Sequence, residues 1–174
     1  MKHSYTRNLV YGAVLGALYV LLTHLQNLLL PGTTSMLIQF RLSEMLCVFA
    51  LHTPAAVGGL SIGCLLYNIS TAATLPLDWM VGTVATFLST LCMYRFRRLR
   101  VGKLPLLQLL MPALWNGVLV GSELTVYLVG TPLWLNMLYV AAGEAAVLLT
   151  MGTALHFLLS GKRLHNRLFP EEVQ

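Results

Sequence analysis

Charge is what this sequence has least of. Only 10% of its 174 residues are Asp, Glu, Lys or Arg, against about 25% in an ordinary soluble domain. Cysteine is scarce as well. Cys47, Cys64 and Cys92 are odd in number, lie within apolar stretches and form no CxxC pair, so neither a disulfide framework nor a thiolate metal site is expected. There is no H-E-x-x-H and no G-x-S-x-G, and neither Gly102-Lys103-Leu104 nor Gly161-Lys162-Arg163 continues as a phosphate-binding loop. These absences exclude a soluble enzyme, a nucleic-acid binder and a disulfide-rich secreted domain. No cofactor is expected.

What the chain does have is apolar sequence, 57% of the total. Pro, Gly and polar clusters divide it into six hydrophobic segments, near 8–30, 35–52, 54–73, 77–95, 104–129 and 133–160. A bilayer takes roughly 20 residues of helix. The expectation is an all-α membrane protein of six transmembrane helices, residues 1–174 forming one integral membrane domain. The first segment follows Lys2, His3 and Arg7 as a signal peptide would, but it runs on to about Leu30 without a small-residue cleavage site. It reads as the first spanning helix.

Ten of the eleven basic residues lie in three patches: Lys2 and Arg7; Arg95, Arg97, Arg98, Arg100 and Lys103; Lys162, Arg163 and Arg167. Six spans put all three patches on one side, which the positive-inside rule makes cytoplasmic. Both termini are then inside. The net charge of +5 reflects those loops and not an affinity for nucleic acid.

Ionisable residues within apolar spans are costly and mark function by default. Arg41, Glu44, Asp78, Glu123 and Glu144 are the five here. At about 1.5 Å per helical residue, Asp78 falls at the outer rim, Arg41 and Glu123 roughly 10 Å in, and Glu144 about 18 Å in. None reaches the cytoplasmic third, so the pattern describes a pocket open to the outside. Asn136, Tyr139 and Glu144 share one helical stripe, as do Asn116, Glu123 and Tyr127 beside Trp115. Gln39 stands near the mouth of the second helix, where Arg41 and Glu44 form an i, i+3 pair.

Each of these has a plainer reading. Arg41 and Glu44 fit a structural ion pair, Asp78 a helix cap, and Trp79, Trp134 and Tyr139 an interfacial aromatic belt. Asn68 opens an N-x-S sequence at membrane depth, where glycosylation makes no sense. His24, His52 and His156 stand isolated in the sequence, so no metal site is expected. The charge sum speaks more clearly. One arginine against four acids leaves three uncompensated carboxylates, which must hold protons or await a cationic ligand. In the first helix, Gly12, Ala13, Gly16 and Ala17 form two overlapping small-xxx-small pairs. They suit close helix packing inside the molecule or an interface with another subunit. Gly117 and Gly121 suit internal packing.

Taken in order, several blocks resemble the QueT family, substrate-binding S components of energy-coupling-factor (ECF) transporters associated with queuosine precursors. They are Ile38-Gln39-Phe40-Arg41-Leu42-Ser43-Glu44; Thr53-Pro54-Ala55-Ala56 with Gly63 and Asn68; Asp78 with Gly82-Thr83-Val84-Ala85-Thr86; Pro112, Asn116, Gly121 and Glu123; and Trp134-Leu135-Asn136-Met137-Leu138-Tyr139-Val140 leading to Gly143-Glu144. The resemblance covers nearly the whole chain. It implies an S-component bundle with its pocket near the extracellular face, docked on a transmembrane coupling subunit and two cytoplasmic ATPases. The A-x-x-x-A stretch that contacts the coupling subunit in such proteins is matched by Ala13 and Ala17. Two positions depart from the pattern: Ser70-Thr71-Ala72-Ala73-Thr74 stands where glycines are expected, and Pro112-Ala113 where a proline pair is expected.

A 7-deazaguanine base fits what these residues offer. Its adjacent N–H donors suit a carboxylate, its carbonyl suits Asn, Gln or Arg, and its face suits Trp or Tyr. An aminomethyl substituent suits the surplus of acids. The resemblance thus implies Glu144 or Glu123 on the base edge, Asn116 and Asn136 on flanking atoms, and Trp134 or Tyr139 stacking. Self-sufficient secondary transport of a small cationic or nucleobase-like solute is the main alternative, since buried acids also relay protons, and it calls for a polar path to the cytoplasm; an S component for another vitamin is the other.

Overall fold

The computed structural model describes residues 2–34, 38–71, 77–99, 104–128 and 130–169. Among them there are helices and no strands. The first helix, α1 (Lys2–Leu29), is apolar enough to cross a membrane over Tyr5–Leu29, with a mean hydropathy of 1.6. A ten-residue 3₁₀ helix follows at Leu42–Leu51, then α2 (Ala55–Ser70) and α3 (Asp78–Arg95). The short α4 (Leu106–Leu109) leads into α5 (Met111–Tyr127), where Pro112 sits in the opening turn and needs no amide partner. A 28-residue apolar stretch, Leu133–Ser160, is α6 (Leu133–Val147), one π turn (Leu148–Gly152) and α7 (Thr153–Ser160). A last short helix, α8, covers Lys162–Leu168.

Two glycine crossings set the bundle. A Cβ on Gly16 would lie 2.7 Å from the Gly59 carbonyl oxygen, and one on Gly63 would lie 2.7 Å from the Gly16 carbonyl oxygen. Only glycine lets the backbones of α1 and α2 come this close. The α5–α6 crossing works the same way: a Cβ on Gly121 would be 2.5 Å from Met137 Cα, and one on Gly117 2.9 Å from Ala141 Cβ. Gly12, Gly16, Gly117 and Gly121 therefore serve internal packing. On the other side of α1, Leu9, Val10, Val14, Leu18, Leu21 and Leu25 are exposed, as suits a face toward lipid.

The second segment departs from the expected helix over 35–52. Gln39 and Phe40 are not helical, and Arg41 is extended at φ −90°, ψ 100°; Ser35 lies outside the described residues. Helical structure begins only at Leu42 and is 3₁₀ for its whole length, longer than the three or four residues usual for that helix. It is the centre of the molecule, packed against α1, α2, α3, α6, the π turn and α7. Cys47, Val48 and Ala50 on it are wholly buried. Helices occupy most of the other expected segments, with α1 beginning at Lys2, the fifth divided at Leu110 and the sixth interrupted by the π turn.

Two of the three histidines read as isolated, His52 and His156, come together in space, while His24 lies apart against Tyr67 and Ser70. His52 and His156 stack with ring centroids 6.3 Å apart, and His165 meets His52 edge-on at 5.3 Å. Phe169 lies flat on His52 at 5.2 Å. With the Tyr11 hydroxyl donating to the Leu168 carbonyl at 2.7 Å, these contacts bind α8 beside the first turns of α1. No local pattern announces this cluster, because the partners are more than a hundred residues apart.

Candidate binding site

Extended backbone at Gln39–Arg41 puts the arginine inside the bundle, and side chains of α1 hold it there. Gln26 acts as a surrogate backbone: its Oε1 accepts from Leu42 N–H at 2.8 Å while its Nε2 donates to the Phe40 carbonyl. Phe40 N–H donates to the Thr33 carbonyl at 2.9 Å. From the other side, α6 comes so close that a Cβ on Gly143 would overlap the Gln39 carbonyl. Arg41 is buried, with its Nε 3.4 Å from the Thr34 carbonyl. It is the only Lys or Arg buried among the described residues.

Three acids, Asp78, Glu123 and Glu144, interact electrostatically with this one guanidinium, Glu44 neighbours Glu144, and the four are not equivalent. Arg41 interacts with Asp78 and Glu144; Glu144 also neighbours Glu44, and Glu123 neighbours Asp78. Glu44, on the 3₁₀ helix, is wholly buried and saturated: Tyr19 Oη donates to Oε1 at 2.6 Å and Cys47 Sγ to Oε2 at 3.2 Å. Glu144 is equally buried, yet neither of its oxygens meets a donor among the described residues. The oxygens of Glu123 meet no donor in good geometry among the described residues, although the Asp78 carboxyl lies within reach of them. Asp78 is buried in the first turn of α3, one residue after the N-cap position, which Leu77 holds. Asn68 donates from Nδ2 to the Asp78 carbonyl at 2.9 Å, fixing α2 to the start of α3. Gly82 leaves room there, since its Cβ would fall 2.9 Å from that same Nδ2 and 3.6 Å from an Arg41 amino nitrogen.

The two expected asparagines differ as well. Asn116 is 1% exposed, and both of its amide atoms lack partners among the described residues. Asn136 spends its Nδ2 on Thr125 and Thr131, each at 3.0 Å, and keeps only Oδ1 open. A buried amide or carboxylate without a partner costs several kcal/mol at typical magnitudes, so this concentration of open polar atoms marks the candidate binding surface. Trp134 is placed elsewhere: it is 65% exposed on the outside of α6, as a belt aromatic would be. Tyr139 is partly buried.

Helix α1 has more part in the site than its composition suggested. Tyr19, Thr23 and Gln26 are all buried, and Thr23 Oγ1 donates to Ser43 Oγ at 2.8 Å. Their spacing of four and three continues the Gly12–Gly16 stripe, a signal that was present in the sequence. Trp115 adds a buried indole N–H without a partner among the described residues. Of the loop at Ser70–Thr74, residues Ala72 to Thr74 lie outside the described residues.

A second feature lies on the lipid-facing side. An apolar groove of about 550 Å³ runs between α1 and α2. Ala13 and Ala17, both exposed, form one wall; Gly58, Ile62 and Leu66 form the other. The small residues of α1 thus divide, glycines inward and alanines outward.

Among the described residues three helices are long and apolar enough to cross a membrane, and the bundle holds a cluster of buried polar side chains without partners. The model of the QueT transporter family matches residues 9–161. The chain belongs to the QueT transporter family, and it is a transporter, not an enzyme. Comparison with curated proteins gives no match, and comparison with solved structures gives none.

Proposed function

We propose that this protein is the substrate-binding S component of an energy-coupling-factor transporter, and that it captures a queuosine precursor, a 7-deazaguanine base, from outside the cell for ATP-driven uptake. The observation that carries the reading is the accounting of polar atoms. Around Arg41, Glu144, Glu123, Asn116 and Asn136 keep open acceptors, while Asn116 and Trp115 keep open donors. That set matches the edge of a purine-like base, which presents adjacent N–H groups beside a carbonyl. Gln39, Asn68, Asp78 and Glu44 complete the surrounding wall, with Tyr139 as the stacking candidate and Trp134 at the membrane interface.

The chain crosses the membrane six times, with both termini and the basic 95–103 loop in the cytoplasm; Arg100 and Lys103 of that loop lie outside the described residues. The tie between Tyr11 and Leu168 supports this, because it places the two ends of the chain side by side. Ala13 and Ala17 offer the apolar groove of α1 and α2 to a transmembrane coupling subunit, whose two ATPases supply the energy. Among the described residues no buried acid lies toward the histidine end, which speaks against a proton path and against secondary transport.

Uptake in reconstituted vesicles tests the reading. A labelled 7-deazaguanine base enters only when the coupling subunit, both ATPases and ATP are present. Uptake by this chain alone, abolished by an uncoupler, overturns it.

A further inference from the structure

Two chain segments run from the polar cluster toward the histidines, and neither is an ordinary α-helix. The first is the 3₁₀ helix Leu42–Leu51, with Glu44 in its first turn and His52 as its C-cap. The second is the π turn Leu148–Gly152, with Glu144 four residues before it and His156 four residues after it. The two lie against each other, and a Cβ on Gly152 would be 3.7 Å from Val48 Cγ2. One end of the pair therefore carries Glu44 and Glu144 beside Arg41. At the other end His52 faces His156, His165 and Phe169. A 3₁₀ run seldom exceeds three or four residues, and a longer one often marks a hinge. This one holds no glycine or proline, so nothing in its sequence bars the α form. Ten residues cover about 20 Å as a 3₁₀ helix and about 15 Å as an α-helix. Rewinding thus shortens the segment by about 5 Å. Its upper end is anchored, since Gln26 Oε1 accepts from Leu42 N–H at 2.8 Å. The shortening then falls on His52, which is drawn away from Phe169.

We propose that the 3₁₀ helix is a two-state connector between the polar cluster and a latch at the histidine end, in which α8 is held on His52 and on α1. A solute bound beside Arg41 and Glu144 fixes the upper ends of both segments, keeps the 3₁₀ form and holds α8 closed. With the cluster empty the segment rewinds more readily and α8 opens. Coupling between distant sites needs an element with two discrete arrangements, and the 3₁₀ and α forms of one segment are such a pair. The latch is light enough to respond. No residue of α8 is fully buried; its ties are Phe169 on His52 and the Tyr11 hydroxyl on the Leu168 carbonyl. Segments with few buried contacts open locally at low cost. The coupling is reciprocal, so loosening α8 also loosens the upper end.

Hydrogen exchange of the purified full chain in nanodiscs, read by mass spectrometry, tests the connector in three arms. Without ligand, Gln26→Leu removes the anchor of Leu42 and is expected to speed exchange across 162–169 about fivefold, the low end of typical coupling between sites. Tyr11→Phe removes one hydroxyl from the latch and is expected to speed exchange across 38–44 by a like factor, with α5 unchanged in both variants. In the third arm, 7-aminomethyl-7-deazaguanine slows exchange across 162–169 of the unsubstituted protein, and Tyr11→Phe weakens its binding. Faster exchange confined to the altered end overturns the connector, and so does equal speeding in α5, which marks general loosening. Bound probe that leaves 162–169 unchanged overturns it too. Only the third arm rests on the 7-deazaguanine reading above. If the probe does not bind, that reading falls and the ligand-free arms decide the connector. If Gln26→Leu does not fold, Tyr11→Phe decides it alone.

Discussion

Tyr19 donates its hydroxyl to Glu44 Oε1 at 2.6 Å, joining the long first helix to the buried 3₁₀ helix. The bond satisfies Glu44, whereas the oxygens of Glu144 meet no donor among the described residues. It also connects the site to the helix whose outer alanines line the apolar groove. Loss of a hydrogen bond to a charged group typically costs about 1.5–3 kcal/mol. Tyr19→Phe is therefore expected to lower the thermal unfolding midpoint in detergent and to weaken ligand binding moderately. An unchanged midpoint would mean that Glu44 is held by other groups.

Gly143 and Gln39 give a sharper test of the backbone. No Cβ fits at Gly143 without moving the Gln39 carbonyl, and Glu144 is the next residue. Gly143→Ala should cost about 1–3 kcal/mol of stability, the usual range for overpacking, and should reduce binding. Gly58→Ala is the control, because a Cβ there meets nothing within 4 Å. Its midpoint should stay level or rise, since alanine is the better helix former by about 1 kcal/mol.

Helix 1 should separate folding from coupling. Leucine at Ala13 and Ala17 should abolish uptake with the coupling subunit while ligand binding by the solitary protein survives. Leucine at Gly16 should damage the fold instead, because that residue lies against Gly59 and Gly63. Co-purification with the coupling subunit reads the first effect and thermal unfolding the second. Normal assembly of the Ala13 and Ala17 variants would remove the groove from the interface.

How far the sequence reveals this depends on which interactions are local. The intramembrane acids were legible because apolar context makes each conspicuous, and the small-residue stripes because their spacing is helical. The 3₁₀ form of Leu42–Leu51 was not, since ten mostly apolar residues carry no period that separates it from an α-helix. The extended stretch at Gln39–Arg41 depends on Gln26, whose side chain replaces backbone partners from sixteen residues away in the case of Leu42. The contribution of Tyr19 and Thr23 was legible in spacing but hidden in an apolar helix where both residues are unremarkable. The histidine cluster required the meeting of distant chain ends. Trp134 carried two readings that only its exposure separates.

Topology has its own check. With cysteine introduced singly, a membrane-impermeant maleimide should label Leu77→Cys from outside. Arg98→Cys should react only after permeabilisation. Both residues are exposed, so access depends on the side of the membrane. The reverse pattern would invert the orientation and place the acids near the cytoplasm.

The central claim is that the open polar atoms around Arg41 form the site for a 7-deazaguanine base. Titration calorimetry of the unsubstituted chain against Glu144→Gln tests it most directly. The account predicts saturable binding that the substitution weakens at least tenfold, a change of about 1.4 kcal/mol. The same affinity in both proteins would contradict it.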